Sequence, residues 1–356
     1  MLYVLNLLFS CLYLRFLKYT KYIIPFIFSV LPVILIWTLI VGGQDNIGAD
    51  YKVYYSFFSF PNFDSRFEPL FSYISYYLHN IGFSSQGPFF FFALLNVVVI
   101  FVAAHRIEFR HLALFYFLLI TVSTFFNNQM NGLRQCIAVT FIFWAYSESY
   151  NSKVKALLLI LIAAGFHYTA LVCLFLLPIK TISFTTTKYP RLLLIISVCI
   201  FFIPFGDSLI TKLFSILPSA IREATLYESM YGDSDSSSIQ MGIIYKLSKV
   251  MLLPVYWYAL KLLDEDVLSP KELLFFKFGL LSYCLKCALL INQLIARFSY
   301  YFWIPSIIPI YYLCVHYYKK KDYVRVFIIL FYCSFSYFVK IILGQNEYKS
   351  SFIYFN

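Results

Sequence analysis

The chain has 356 residues, of which 61% are hydrophobic and 13% are charged, and its mean hydropathy is +0.77. Soluble domains carry about 25% charged residues, so this composition excludes a soluble globular protein and predicts an all-α, polytopic bundle of transmembrane helices. The net charge of +11 comes from Lys and Arg placed between apolar runs, where cytoplasmic retention puts them. We therefore expect a lipid bilayer, and no nucleic acid, as the partner of this positive charge.

The apolar runs predict about ten spans within a single integral domain over 1–356. In chain order the predicted spans are 2–17, 22–41, 86–104, 111–126, 132–147, 190–206, 241–261, 272–291, 297–318 and 323–343.

Loop charges set the predicted orientation. The loops with most of the Lys and Arg follow the first, third, fifth and ninth of these spans, so the positive-inside rule makes them cytoplasmic. The segments 42–85 and 207–240 then face outward, and the first contains an amphipathic stretch.

The apolar segment 154–179 does not fit this orientation as an ordinary span. Lys153 is predicted inside and the loop 207–240 outside, and the span 190–206 already supplies the one crossing between them. The segment 154–179 must then enter and return to the cytoplasmic face as a re-entrant hairpin. Its arms would have about 12 residues, or about 18 Å, with a turn at Gly165, Phe166 and His167. The alternative is one long span, which leaves more positive charge outside.

Several polar residues that are far apart in sequence fall on the predicted outer side. They are Asp50, Glu68, Arg134, His167 and Arg297. An ionisable side chain at membrane depth is costly without a partner, which makes such residues candidates for a functional site.

Each of these residues also has an ordinary structural interpretation. The two Arg can extend to the membrane interface, and the His can be a buried neutral imidazole. Asp50 can be a solvated loop acid, and Glu68 can be a first-turn acid favoured by the helix dipole. Lys286, within the predicted span 272–291, fits either a site or a structural pair.

The functional interpretation combines two fixed cations with one titratable base. Arg134 and Arg297 present planar forks that suit phosphate oxygens, and can stabilise a pyrophosphate as it leaves. His167 can take a proton from an attacking sugar hydroxyl, and an acid can do the same or orient the sugar. The sequence shows no Cys/His metal spacing and no phosphate-binding glycine loop, so we expect no metal and no cofactor.

Five blocks of the chain, in order, resemble a known family, the EpsG/Wzy-type polysaccharide polymerases. The blocks are IGADYKVYYSFF, FEPLFSYISYYLHNIGFS, NGLRQCIAVTFIFWAYSESY, LIAAGFHYTALVCLFLL and ARFSYYFWIPSIIPI. The central Arg-Gln and Phe-His pairs are the core of this resemblance, and the blocks cover most of the chain.

The resemblance implies an enzyme that links oligosaccharide repeat units carried on undecaprenyl pyrophosphate. It would act at the outer face of the bacterial cytoplasmic membrane, in the synthesis of an O-antigen, capsule or exopolysaccharide. A chain-length regulator and a flippase would be its partner proteins.

Site residues follow from the same blocks. The implied catalytic residues are Asp50, Arg134, His167 and Arg297, and the implied substrate-binding residues are Tyr51, Glu68, Asn131 and Gln135.

Two other classes of membrane protein remain open as alternatives to a polymerase. A flippase for the same lipid-linked sugar would favour internal repeats and charge along the whole path, whereas these polar residues favour one leaflet. A membrane O-acyltransferase also uses a His in apolar surroundings, but has no evident need for two outward Arg.

Overall fold

The structure is a computed structural model that describes residues 2–48, 50–61, 67–181, 188–202, 250–289 and 297–342. Every regular element in these ranges is a helix, which confirms the all-α class. The chain divides into two compact units, one formed by Met1–His167 with Cys314–Asn356 and the other by Tyr168–Leu313. The single integral domain stays a prediction.

The α-helices in chain order are α1 (Leu2–Phe16), α2 (Ile23–Gly42), α3 (Tyr51–Ser59), α4 (Pro69–Asn80), α5 (Gly87–Ile107), α6 (Leu112–Thr121), α7 (Phe125–Asn128), α8 (Leu133–Glu148), α9 (Lys153–Phe166), α10 (Lys188–Phe202), α11 (Leu253–Ala259), α12 (Lys261–Asp264), α13 (Pro270–Leu289), α14 (Ile308–Lys319) and α15 (Tyr323–Ile342). Segments of 3-10 helix cover Tyr168–Thr181, Tyr300–Phe302 and Pro305–Ile307.

Two of the described helices, α2 and α5, are long and apolar enough to cross a membrane. The remaining apolar helices are shorter, at 10–17 residues: Leu2–Phe16, Leu112–Thr121, Tyr189–Ile200 and Tyr323–Val339. The prediction of about ten spans is therefore not confirmed by the described part of the chain. The predicted outer loop 207–240 lies outside the described residues.

Local backbone chemistry explains why two predicted spans are interrupted. The predicted span 111–126 ends as a helix at Thr121, and Thr124 then takes a left-handed conformation with φ 57° that no α-helix can continue through. The predicted span 297–318 contains Pro305 and Pro309, which lack the backbone N–H that a regular helix needs. It forms two short 3-10 turns before α14.

Two polar contacts, of which the second is fully buried, hold α5 beside α8. Arg106 pairs with Glu148 near the last turns of the two helices, with 2.9 Å between Nε and Oε1. Two to three turns earlier in each helix, the Thr140 hydroxyl donates to Oδ1 of Asn96 at 3.2 Å. Because the residue numbers rise together, the two helices run parallel, as expected for spans that both end in cytoplasmic loops.

Helix α9 runs back along α8 and stops inside the bundle. It begins at Lys153, shortly after α8 ends, and its last residue, Phe166, stacks on Phe141 at 5.6 Å between ring centres. Fourteen residues span about 21 Å at 1.5 Å per residue, which is less than a hydrocarbon core of about 30 Å. His167 then adopts an extended conformation, with φ −159° and ψ 112°.

The helix therefore ends where the sequence predicts the turn of the hairpin 154–179. The residues that follow, Tyr168–Thr181, form a 3-10 helix in the second unit. The return of this second arm to the cytoplasmic face stays a prediction.

The predicted outer segment 42–85 contains α3 and the amphipathic α4. The buried side of α4 is formed by Phe71, Ser72, Ser75 and Leu78, while Tyr73 and Tyr77 are exposed. A Cβ atom at Gly165, near the end of α9, would lie 2.5 Å from Cδ1 of Leu70. This close approach brings the start of α4 to the end of α9.

Candidate functional site

Glu68 directly precedes α4, and the next residue in the chain restricts its conformation. Pro69 occupies the first helical turn, where its missing N–H costs nothing. Proline also keeps the preceding residue out of the α conformation, and Glu68 is accordingly extended, with φ −63° and ψ 151°. The side chain of Glu68 is buried, with the residue 2% exposed.

His167 meets this carboxylate from the end of α9. Its Nδ1 lies 2.7 Å from Oε1 of Glu68, and the residue is 3% exposed. Because the backbone turns to an extended conformation at His167, its imidazole leaves the helix and reaches α4.

Arg134 meets the other carboxylate oxygen from the second residue of α8. Its Nη1 donates to Oε2 of Glu68 at 2.5 Å. The guanidinium carbon also lies 4.6 Å from the ring centre of Phe67 and 6.0 Å from that of Tyr54, within the range of a cation–π contact. Three helices thus bring one carboxylate, one guanidinium and one imidazole together, and we call these three residues the Glu68 cluster.

The charges of the cluster fix the protonation state of its carboxylate. Burial alone would raise the pKa of Glu68, but the Arg134 guanidinium and the His167 imidazole outweigh burial and lower this pKa to about 2. Glu68 is therefore an ionised carboxylate near neutral pH, and an ionised carboxylate only accepts hydrogen bonds.

The tautomer of His167 follows from this. Since Oε1 of Glu68 can only accept, Nδ1 of His167 must carry the hydrogen of their bond. In the neutral imidazole the lone pair then lies on Nε2, to which no described residue donates a hydrogen bond. A carboxylate that orients an imidazole in this way prepares the other ring nitrogen to act as a base.

The other residues predicted for the first unit differ in exposure and in their position along the chain. Asp50 directly precedes α3 and is half-buried, whereas Asn131 is exposed and lies three residues before Arg134. Gln135 is 9% exposed and follows Arg134 on α8, so it faces a different side of that helix.

Tyr51 is held in a structural network. Its hydroxyl donates to Oε1 of Gln86 at 3.1 Å, and Nε2 of Gln86 donates to the backbone carbonyls of Gly42 at 2.6 Å and Gln44 at 3.0 Å. Burial, followed by the nearby Asp45, raises the pKa of Tyr51 to about 12. The phenol is therefore neutral near pH 7 and able to donate a hydrogen bond.

Arg297 and Lys286 belong to the second unit. Arg297 is half-buried just before the 3-10 turn Tyr300–Phe302, and Lys286 is buried on α13. In the same unit, the hydroxyls of Thr169 and Tyr301 lie 2.6 Å apart. The predicted convergence of Arg297 with the Glu68 cluster stays a prediction.

Sequence reasoning missed two residues that contact the cluster, Tyr54 and Phe67, whose rings lie against Arg134. It also missed Gln86, which connects the start of α5 to the end of α2 and the start of α3. The only signal for the two aromatic residues is their presence in the blocks IGADYKVYYSFF and FEPLFSYISYYLHNIGFS. Within the described ranges, no group of three or more His, Cys, Asp or Glu side chains could hold a metal ion.

Composition, the all-helical fold and the two long apolar helices together define a helical membrane protein. The chain belongs to the EpsG family, whose model matches residues 27–355, nearly the whole length. This match confirms the resemblance described from the five sequence blocks, and it assigns the chain to a family of Wzy-type polysaccharide polymerases. Comparison with curated proteins gives no match, and comparison with solved structures gives none.

Proposed function

We propose that this protein joins oligosaccharide repeat units carried on undecaprenyl pyrophosphate into a surface polysaccharide, at the outer face of the bacterial cytoplasmic membrane. The family supports a polymerase of glycosyltransferase type. The observation that carries the proposal is the Glu68 cluster, because it places an oriented base beside a fixed cation on the predicted outer side.

The reaction transfers the growing chain from its carrier to the next lipid-linked unit. A hydroxyl oxygen of the incoming unit attacks the anomeric carbon that joins the growing chain to its carrier. The bond from that carbon to the pyrophosphate oxygen breaks, and undecaprenyl pyrophosphate leaves with the electron pair. Nε2 of His167 accepts the proton of the attacking hydroxyl.

Glu68 acts here as a positioning residue. Its two carboxylate oxygens bind His167 and Arg134, so it holds the imidazole in one tautomer and stabilises the imidazolium that forms. We therefore propose this role in place of the sugar contact that the resemblance implies.

Arg134 and Arg297 would stabilise the charge that develops on the pyrophosphate. A guanidinium has five N–H donors in a planar fork, and the bond to Glu68 uses one of those on Arg134. Asp50, Tyr51, Asn131 and Gln135 would contact the acceptor sugar.

The test is polymerisation by purified protein in lipid vesicles supplied with undecaprenyl-pyrophosphate-linked repeat units. Wild type should give a ladder of glycan products. His167→Gln should lower the rate by about 10²- to 10⁴-fold, the usual contribution of a general base. His79→Gln is the matched control, because His79 is exposed on α4 and should leave the rate unchanged.

Two results would contradict the proposal in different ways. A ladder that survives His167→Gln would keep the polymerase and remove the mechanism. If wild type forms no ladder and instead moves the lipid-linked sugar between leaflets, the protein is a transporter of that substrate.

A further inference from the structure

Among the residues that the structure describes, three side-chain amides of the first unit have buried polar atoms with no hydrogen-bond partner. Neither polar atom of the amide group is bonded to a described residue in Gln44, Asn127 and Gln129. Gln44 is 1% exposed and Gln129 is fully buried. The indole Nε1 of Trp37, also fully buried, is another donor with no partner in the described part of the chain.

These groups belong to two chain segments that pack together. Gln44 follows the end of α2, the helix that carries Trp37. The ring centre of Trp37 lies 4.6 Å from the ring centre of Phe126 in α7. Further along the same two segments, a Cβ atom at Gly48 would lie 2.5 Å from Oδ1 of Asn131. Loop 43–48 therefore lies against the residues that connect α7 to α8.

A nearby amide shows what a purely structural amide looks like here. Gln86 satisfies both ends of its amide group, with Tyr51 on one side and the carbonyls of Gly42 and Gln44 on the other. By contrast, a buried polar group without a partner is destabilising, and an apolar side chain of the same shape would be more stable. Such groups in a folded protein call for an explanation, and a bound molecule is one.

We propose that Gln44, Asn127 and Gln129 form a binding subsite for an uncharged sugar of the lipid-linked repeat unit. The inference rests on the proposed polymerase function and identifies where part of its substrate binds. An amide offers two N–H donors and one carbonyl acceptor, and sugar hydroxyls both donate and accept. None of the three amides carries a charge, so the subsite suits a sugar ring better than a pyrophosphate.

The position of this amide subsite fits that role. Gln129 lies five residues before Arg134, so the subsite adjoins the Glu68 cluster along the chain. Asn127 is only partly buried as a residue, and Asn131 beside it is exposed, which gives the subsite a solvent-facing margin. A sugar bound there would lie beside the segment that leads into α8, the helix that carries Arg134.

The test compares Gln44→Met and Gln129→Met with wild type in the vesicle assay. Methionine keeps the length and apolar stem of glutamine and removes the unpartnered groups. If the amides bind sugar, KM for the lipid-linked repeat unit should rise about 10- to 100-fold, since each variant loses hydrogen bonds to the substrate. Thermal stability without substrate should stay the same or increase.

Asn96→Leu is the control. Asn96 is buried between α5 and α8, and its Oδ1 accepts a bond from Thr140. This variant should lower the thermal midpoint and leave KM unchanged. If Gln44→Met and Gln129→Met leave KM unchanged, or if they only lower stability as Asn96→Leu does, the amides bind internal water and the subsite is refuted.

A second measurement separates this inference from the polymerase function. The fluorescence of Trp37 is followed while purified wild-type protein is titrated with oligosaccharides released by mild acid from the surface polysaccharide of the producing cells. Saturable quenching that disappears in Trp37→Phe and weakens in Gln44→Met supports the subsite even if no polymer forms. Absence of quenching in a wild-type protein that does polymerise refutes the subsite alone.

Discussion

At the residue scale, the central feature is a carboxylate that serves two partners at once. Glu68 binds His167 with one oxygen and Arg134 with the other, and all three side chains are largely withdrawn from water. A buried charge is tolerated when its lone pairs or protons are matched. Each member of the cluster therefore depends on the other two.

We expect the stabilities of variants at Glu68 and Arg134 to be strongly coupled. Glu68→Gln leaves the Arg134 charge without its counter-ion, and should lower the free energy of unfolding by about 3–5 kcal/mol. Arg134→Met should cost a similar amount. The double variant should cost clearly less than the sum, because neither charge remains buried alone. Thermal or denaturant unfolding in detergent measures all three.

An exposed ion pair provides the control for this cycle. Asp322→Asn removes the charge that pairs with Arg325, whose side chain is 57% exposed, while that of Asp322 is 32% exposed. This change should alter the free energy of unfolding by less than about 1 kcal/mol. Additive effects at Glu68 and Arg134 would show that the contact between them contributes nothing to stability.

At the element scale, the decisive contact is the approach of α4 to the end of α9. Gly165 lets Leu70 pack directly against the α9 backbone, and Leu70 lies two residues after Glu68. The distance between Glu68 and His167 therefore depends on how closely these two helices pack.

Gly165→Ala should separate the two helices and reduce polymerisation. The added methyl group would overlap Leu70, and overpacking of this kind costs about 1–3 kcal/mol. Leu70→Ala in the same chain should restore part of the activity, because it makes room for the methyl group. Polymerisation rates of the single and double variants measure the effect.

Gly132→Ala is the matched control, since a Cβ atom at Gly132 meets nothing within 4 Å. This variant should polymerise at close to the wild-type rate. If Gly165→Ala is equally active, the packing of α4 on α9 does not set the geometry of the cluster.

At the scale of the whole molecule, the Arg106–Glu148 pair and the Glu68 cluster lie at opposite ends of α8. The Arg106–Glu148 pair joins the last turns of α5 and α8, while Arg134 begins α8 at its opposite end. The positive-inside rule predicts that the first of these ends faces the cytoplasm, because basic loops follow it. We therefore expect the Glu68 cluster on the outer side of the membrane.

Cysteine labelling in intact cells tests this orientation. Ser84 is exposed in the predicted outer segment, and Lys153 is exposed in a predicted cytoplasmic loop. A membrane-impermeant maleimide should label Ser84→Cys in intact cells and Lys153→Cys only after lysis. The background carries Cys199→Ser, because Cys199 is the exposed native cysteine. The reverse labelling pattern would invert the topology and place the cluster on the cytoplasmic side.

Much of the candidate site is visible in the sequence because charge is so rare in it. An Arg, a Glu and a His beside or within apolar runs stand out by composition alone, and the order of the five blocks indicates the family. Their mutual contact is not visible, since Glu68 and His167 are 99 residues apart. Tyr54, Phe67 and the unpartnered amides look like ordinary aromatic and loop residues until their neighbours are known.

The sequence by itself determined the helical class, the membrane setting and the family, because each depends on composition or on local order along the chain. Local backbone geometry at Thr124 and at the prolines 305 and 309 interrupts two predicted spans, and apolar composition alone does not reveal it. Only the tertiary structure decided that Glu68 binds Arg134 and His167, because those contacts depend on how closely α4 approaches α9 in space.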